Sequence, residues 1–137
     1  MEFALVLPAL LVILVGIIQF GVALNNYLEL TDAVRTGARN LAMSRSSATS
    51  ATPYSSTITA IDNSAANLTP GSITTTIRIN GTACSTDGTC QTAIAAAEGL
   101  SASVTATYPC VSATFVFYVR YFAAGCTLTS STADLIE

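Results

Sequence analysis

Histidine and lysine are both absent from these 137 residues, and charged side chains make up only 9% of them. Without histidine the chain lacks the usual general base near neutral pH and the commonest metal ligand. Catalysis would have to rest on isolated carboxylates, with no acid/base pair, metal cluster or phosphate loop to support it, so neither an enzyme nor a cofactor is expected. So few charges also argue against a conventional soluble, charge-covered surface. The net charge is −3, and apart from the pair Arg35 and Arg39 the arginines stand singly at Arg45, Arg78 and Arg120. There is no basic patch, and nucleic acid is not expected as a partner.

What the chain has instead is a long apolar run that passes into a polar helix, EFALVLPALLVILVGIIQFGVALNNYLELTDAVRTGARNLA over residues 2–42. No charge occurs from Phe3 to Leu28. At ~1.5 Å per residue that stretch would span about 39 Å, more than a bilayer core requires. Residues 1–45 therefore read as a membrane-competent helical stalk and residues 46–137 as a small globular head.

A removable signal peptide would begin with positive charge and end at a small-residue cleavage site. This chain begins Met1-Glu2, and its apolar run continues through Asn25, Asn26 and Tyr27 without a loop. Arg35, Arg39 and Arg45 place the head side in the cytoplasm by the positive-inside rule, whereas the cysteines of the head favour an oxidising compartment. The two signals reconcile if a basic leader upstream of Met1 is removed during maturation, which is the expectation.

Within the helix, Pro8 frees the carbonyl of Ala4, so a kink or loosening is expected there. Gly16 and Gly21 are five residues apart, which is not the G-x-x-x-G spacing, yet they permit close approach of another helix. Farther on, Tyr27, Leu30, Val34, Ala38 and Leu41 mark one apolar stripe, read as packing the head onto its stalk. Asp32 can reach Arg35 and Thr36 on the other side. Glu2 has two readings: a headgroup-level residue suited to the positive end of the helix dipole, or the partner of an α-amino group in a bundle of such helices.

The Glu-Phe-Ala-Leu-Val-Leu-Pro start, the pair Phe20-Gly21 and the run Ala-Val-Arg-Thr-Gly-Ala-Arg at 33–39 resemble the N-terminal signature of TadE-like pilins and pseudopilins, the tight-adherence branch of type IV filaments. The closing LTSSTADLIE at 128–137 is similar to the family's last strand, less specifically. The resemblance implies a leader cut by a prepilin peptidase and a helix held in the inner membrane until the pilus assembly machinery adds it to an extracellular filament of identical copies. It implies assembly roles for Glu2, Phe3, Pro8, Gly16, Phe20 and Gly21. Glu2 would correspond to the carboxylate that neutralises the N-terminal amine during docking, usually fifth in the mature chain and second here.

The head opens with the Ser/Thr/Ala-rich linker SRSSATSATPYSS. Ile58, Ile61, Ala65 and Leu68 predict a helix over 55–68, stopped by Thr69-Pro70-Gly71. Alternation predicts strands over 73–79, ended by an Asn80-Gly81 turn, and over 100–108, the two forming an antiparallel pair. One or two helical turns are expected at 92–98, and a third strand over 127–136. Cys84, Cys90, Cys110 and Cys126 lack a C-x-x-C spacing, which favours two disulfides over zinc. Three connectivities are open, the nearest-neighbour pairing Cys84–Cys90 and Cys110–Cys126 among them.

The apolar segment PCVSATFVFYVRYFAAGC carries Phe115, Phe117, Tyr118, Tyr121 and Phe122 around Arg120, and is too short and too charged for a second span. It can serve the core, a subunit contact or a tip contact. Asn67-Leu68-Thr69 and Asn80-Gly81-Thr82 fit the glycan-acceptor triplet. The fold expected is α+β: a long apolar stalk, then a disulfide-bonded head with a roughly three-stranded antiparallel sheet and short helices. The function expected is a structural filament subunit; the alternative is a minor pseudopilin or membrane-anchored binding module that primes or tips the filament.

Overall fold

The computed structural model describes residues 3–45, 51–69, 71–110 and 126–136. Helix α1 (Phe3–Met43) runs unbroken through Pro8 and is closed by Ser44, whose N–H and Oγ–H both donate to the Leu41 carbonyl, at 3.1 and 2.6 Å. Helix α2 (Pro53–Ser64) has proline at its first position, where the missing N–H costs nothing. It stops four residues short of the predicted end. The chain leaves the helix at Ala65 so that the Asn67 N–H and Nδ2–H can reach the Glu29 carboxylate of α1, at 2.7 and 3.2 Å. Ala65 and Leu68 remain buried after the turn.

The sheet has four strands rather than three. Strand β1 (Thr74–Ile79) ends in the predicted turn, where Asn80 has φ 49° and Gly81 φ 80°. Positive φ at both central residues is the two-residue hairpin geometry that matches strand twist. It folds Thr82–Cys84 back as β2, in register Ile77↔Cys84 and Ile79↔Thr82. Helix α3 (Asp87–Ala95) then begins five residues before the predicted position, because Thr86 and Thr89 form a reciprocal capping box. Strands β3 (Ser101–Pro109) and β4 (Thr127–Leu135) complete the antiparallel order β2-β1-β3-β4.

Period-two alternation decides the faces of the sheet. Ile77, Ile79, Ala102, Val104, Ala106 and Tyr108 point inward and are buried, joined by Leu30, Val34, Ala38 and Leu41 from α1 and Ile61 from α2. The other face carries Thr74, Thr76, Thr129 and Ser131, all exposed. Both disulfides follow the nearest-neighbour connectivity, with Cα–Cα distances of 5.2 Å for Cys84–Cys90 and 5.4 Å for Cys110–Cys126. The first ties β2 to α3. The second joins the end of β3 to the start of β4, beside a Cys110 N–H to Cys126 carbonyl bond of 3.1 Å.

Candidate functional site

Helix α1 plays two roles along its length, and the change falls within one turn. Leu28 is 63% exposed and Leu30 is 0% exposed. From Leu30 to Ser44 the helix contributes buried side chains to the head, whereas no residue from Val6 to Leu28 is buried. That upper stretch is about 34 Å long at ~1.5 Å per residue, matching a hydrocarbon core of roughly 30 Å with modest tilt. Fifteen large apolar side chains stand exposed on it. At ~1.5 to 3 kcal/mol each, leaving them in water would cost on the order of 20 to 45 kcal/mol, against total domain stabilities of about 5 to 15. Among the described residues nothing covers this surface, and it requires an apolar environment.

Tyr27 departs from the expected stripe: it is 41% exposed, while Leu30, Val34, Ala38 and Leu41 are buried as predicted. Among the described residues, the head's polar contact nearest the apolar stretch is at Glu29, so Tyr27, half a turn earlier, lies beyond the part of α1 that the described head covers. On the side away from the head, Arg35 and Asp32 lie 3.6 Å apart and Thr36 Oγ1 donates to the Asp32 carbonyl at 3.0 Å. Apart from the helix's own backbone and the adjacent residues, no described atom lies within 4 Å of where a Cβ would stand at Gly16 or Gly21, so both notches open away from the described head. Phe20 is exposed. Phe3 lies in the helix; its side chain, all of Glu2 and the aromatic group Phe115, Phe117, Tyr118, Tyr121 and Phe122 lie outside the described residues.

Two contacts orient the head on the helix. Glu29 grips Asn67 near the apolar end, and close by the Thr69 N–H donates to Tyr108 Oη at 3.3 Å. At the far end, Arg45 and Glu98 form a 2.8 Å ion pair. Strand β3 therefore starts far from the apolar stretch and finishes near it. Cys110 and Cys126 consequently sit at the end of the head from which the apolar helix emerges.

Three residues that position these parts were not singled out by sequence. Gly37 lies where α1 crosses α2, and a Cβ there would stand 2.5 Å from Ile61 Cγ1. Its only signal was its place in the Ala-Val-Arg-Thr-Gly-Ala-Arg run at 33–39. Asp87 caps α2 from a distance: Oδ1 accepts the Ser55 N–H at 2.8 Å and Oδ2 accepts Ser55 Oγ–H at 2.5 Å, replacing the side-chain cap that Thr52 does not supply. These hydrogen bonds from Ser55 hold the Asp87 carboxyl below the usual range. The hydrogen bond and charge of Arg45 do the same for Glu98. No local sequence pattern marks the Glu29 contact with Asn67. Among the described residues, no cluster of side chains could hold a metal.

An α+β head carried on one helix long and apolar enough to cross a membrane defines the class: a chain suited to membrane anchoring. The family model described as TadE-like protein matches residues 1–39, consistent with a TadE-like pilin and with the resemblance drawn from the sequence. A pilus-related, membrane-anchored subunit fits that match, and the TadE-like pilin family is structural rather than catalytic. No curated protein and no solved structure matches the chain.

Proposed function

We propose that this protein is a structural subunit of an extracellular type IV pilus-like filament. Its N-terminal helix is held in the inner membrane after leader removal by a prepilin peptidase, and then exchanges lipid for the helices of other copies. The observation that carries this reading is the apolar surface from Val6 to Leu28, exposed along its whole length, beside a head whose described core is built without it. In this reading Glu2 neutralises a terminal amine, while Gly16 and Gly21 admit neighbouring helices beside Phe3, Pro8 and Phe20. The position of Cys110 and Cys126 at the helix-emergence end favours a subunit or membrane-interface contact for the aromatic group at 115–122.

The test is to shear surface filaments from cells making the chain and identify their main component. Filaments composed mainly of this chain are expected. Recovery of the chain only as a trace component, or only in the membrane, would defeat the reading in favour of a minor or anchored role.

A further inference from the structure

Of the two glycan-acceptor triplets in the head, the fold closes one and opens the other. An acceptor Asn must offer its side-chain amide to the donor sugar, and the hydroxyl two residues on must be open to the transferase. At Asn67-Leu68-Thr69 none of the three positions is available. Asn67 donates to the Glu29 carboxylate through its N–H at 2.7 Å and its Nδ2–H at 3.2 Å, Leu68 is buried, and Thr69 Oγ1 accepts from Tyr108 Oη–H at 3.5 Å. A sugar on Asn67 would displace a contact that fastens the head to α1.

At Asn80-Gly81-Thr82 all three residues are exposed. The turn is held through its backbone: the Asn80 N–H donates to the Ser101 carbonyl at 2.9 Å, and Arg78 Nη1–H donates to the Gly81 carbonyl at 3.3 Å. Among the described residues, the Asn80 side-chain amide and the Thr82 hydroxyl have no hydrogen-bond partner. Apart from adjacent residues, no described atom lies within 4 Å of where a Gly81 Cβ would stand. Strand β1 runs antiparallel to β3, so its hairpin sits at the pole of the head opposite the one from which the apolar helix emerges. Asn-Gly also satisfies the positive φ of the hairpin, but the turn does not require Thr82.

We propose that Asn80 carries an N-linked glycan, transferred from a polyisoprenyl pyrophosphate-linked oligosaccharide. Asn80 Nδ2 bonds to the anomeric carbon of the donor sugar, the bond from that carbon to the pyrophosphate oxygen breaks, the lipid pyrophosphate leaves, and one amide proton passes to a base of the transferase. Charged residues are only 9% of the chain, and a glycan at this pole supplies hydration that a charge-poor surface lacks. The proposal rests on the head lying outside the cytoplasm, which the filament and anchored-module readings share.

The test is mass mapping of the full chain purified from its own cells. Trypsin cleavage after Arg45, Arg78 and Arg120 puts the triplets on separate peptides, Asn67 on 46–78 and Asn80 on 79–120. A glycan mass increment is expected on 79–120. Asn80→Asp, which keeps a turn-forming Asp-Gly pair, and Thr82→Val should abolish it, while Thr82→Ser and Asn67→Asp retain it. An unmodified 79–120 peptide overturns the proposal, as does an increment that survives Asn80→Asp, or one on 46–78 that Asn67→Asp removes. Without reduction, the Cys110–Cys126 bridge joins 79–120 to 121–137 and reports export independently. A bridged, sugar-free chain overturns the glycan alone; free thiols without sugar overturn the placement of the head as well.

Discussion

Replacing Gly37 by alanine places a methyl group where the α1 backbone packs against side chains of α2. Its Cβ would lie 2.5 Å from Ile61 Cγ1, 2.8 Å from Ile61 Cδ1 and 3.5 Å from Thr57 Cγ2. Ordinary carbon contacts fall near 3.5 to 4.0 Å, so the overlap with Ile61 is about 1 Å. Ile61 is fully buried and β-branched, which restricts its escape by rotation about χ1. Relief must come from an off-rotamer side chain or displacement of α2, at ~1 to 3 kcal/mol. Alanine recovers up to ~1 kcal/mol of helix propensity, so the net effect is destabilisation of about 1 kcal/mol. The diagnostic measurement is a double-mutant cycle with Ile61→Ala, which removes both clashing atoms. Ile61→Ala alone should cost ~2 to 5 kcal/mol, and in the Gly37→Ala background it should cost less by the clash energy, ~1 to 3 kcal/mol. Denaturant unfolding of the full chain in detergent, followed by near-UV tyrosine signals, gives all four corners. Additivity within ~0.5 kcal/mol would refute the close crossing.

Asp87 makes stability depend on acid. Its native carboxyl is held below the usual range by Ser55, so its contribution is present above the unfolded value and is lost as pH falls through the lowered native one. Thermal scans of wild type and Asp87→Asn should show a Tm gap at pH 6 that closes toward pH 2; a gap that stays constant contradicts the cap. Serine replacement of each disulfide pair ranks the two bridges. Their sequence separations are 6 for Cys84–Cys90 and 16 for Cys110–Cys126. The chain-entropy estimate gives ~2 and ~3 kcal/mol respectively, so the second pair should lower the unfolding midpoint more, and the reverse order would rule out loop entropy as the dominant effect.

The parts legible in sequence are those governed by period and by turn chemistry. Ile77 and Ile79 on β1, and Ala102 through Tyr108 on β3, alternate with hydroxyl residues, and their burial follows that alternation. Asn80-Gly81 marked its own hairpin, yet the strand beyond it escaped notice, because Thr82–Cys84 is too short to show a period. The end of α2 and the start of α3 were misjudged for a different reason. Each boundary is set by a hydrogen-bond partner: Glu29 lies 38 residues from Asn67, and the Thr86–Thr89 box outranks the weaker helical pattern at 92–98. The apolar surface was fully visible as composition. What composition could not give was its limit at Leu28, which depends on where the head begins to cover the helix.

That limit explains how one helix can serve two environments. From Leu30 onward α1 is part of the head's core, between α2 and the sheet, and it is fastened at both ends by Glu29–Asn67 and Arg45–Glu98. The described core of the head does not include Val6–Leu28, so the exchange of lipid for protein in the proposed filament would leave that core intact. Because the same helix continues across the boundary, the head cannot swivel freely on a linker. A neighbour that fixes the apolar stretch also fixes the orientation of β3, β4 and the Cys110–Cys126 bridge. A flexible connection at 28–30 would keep the anchor but lose this coupling, so inserting glycines there should spare membrane insertion and abolish ordered assembly.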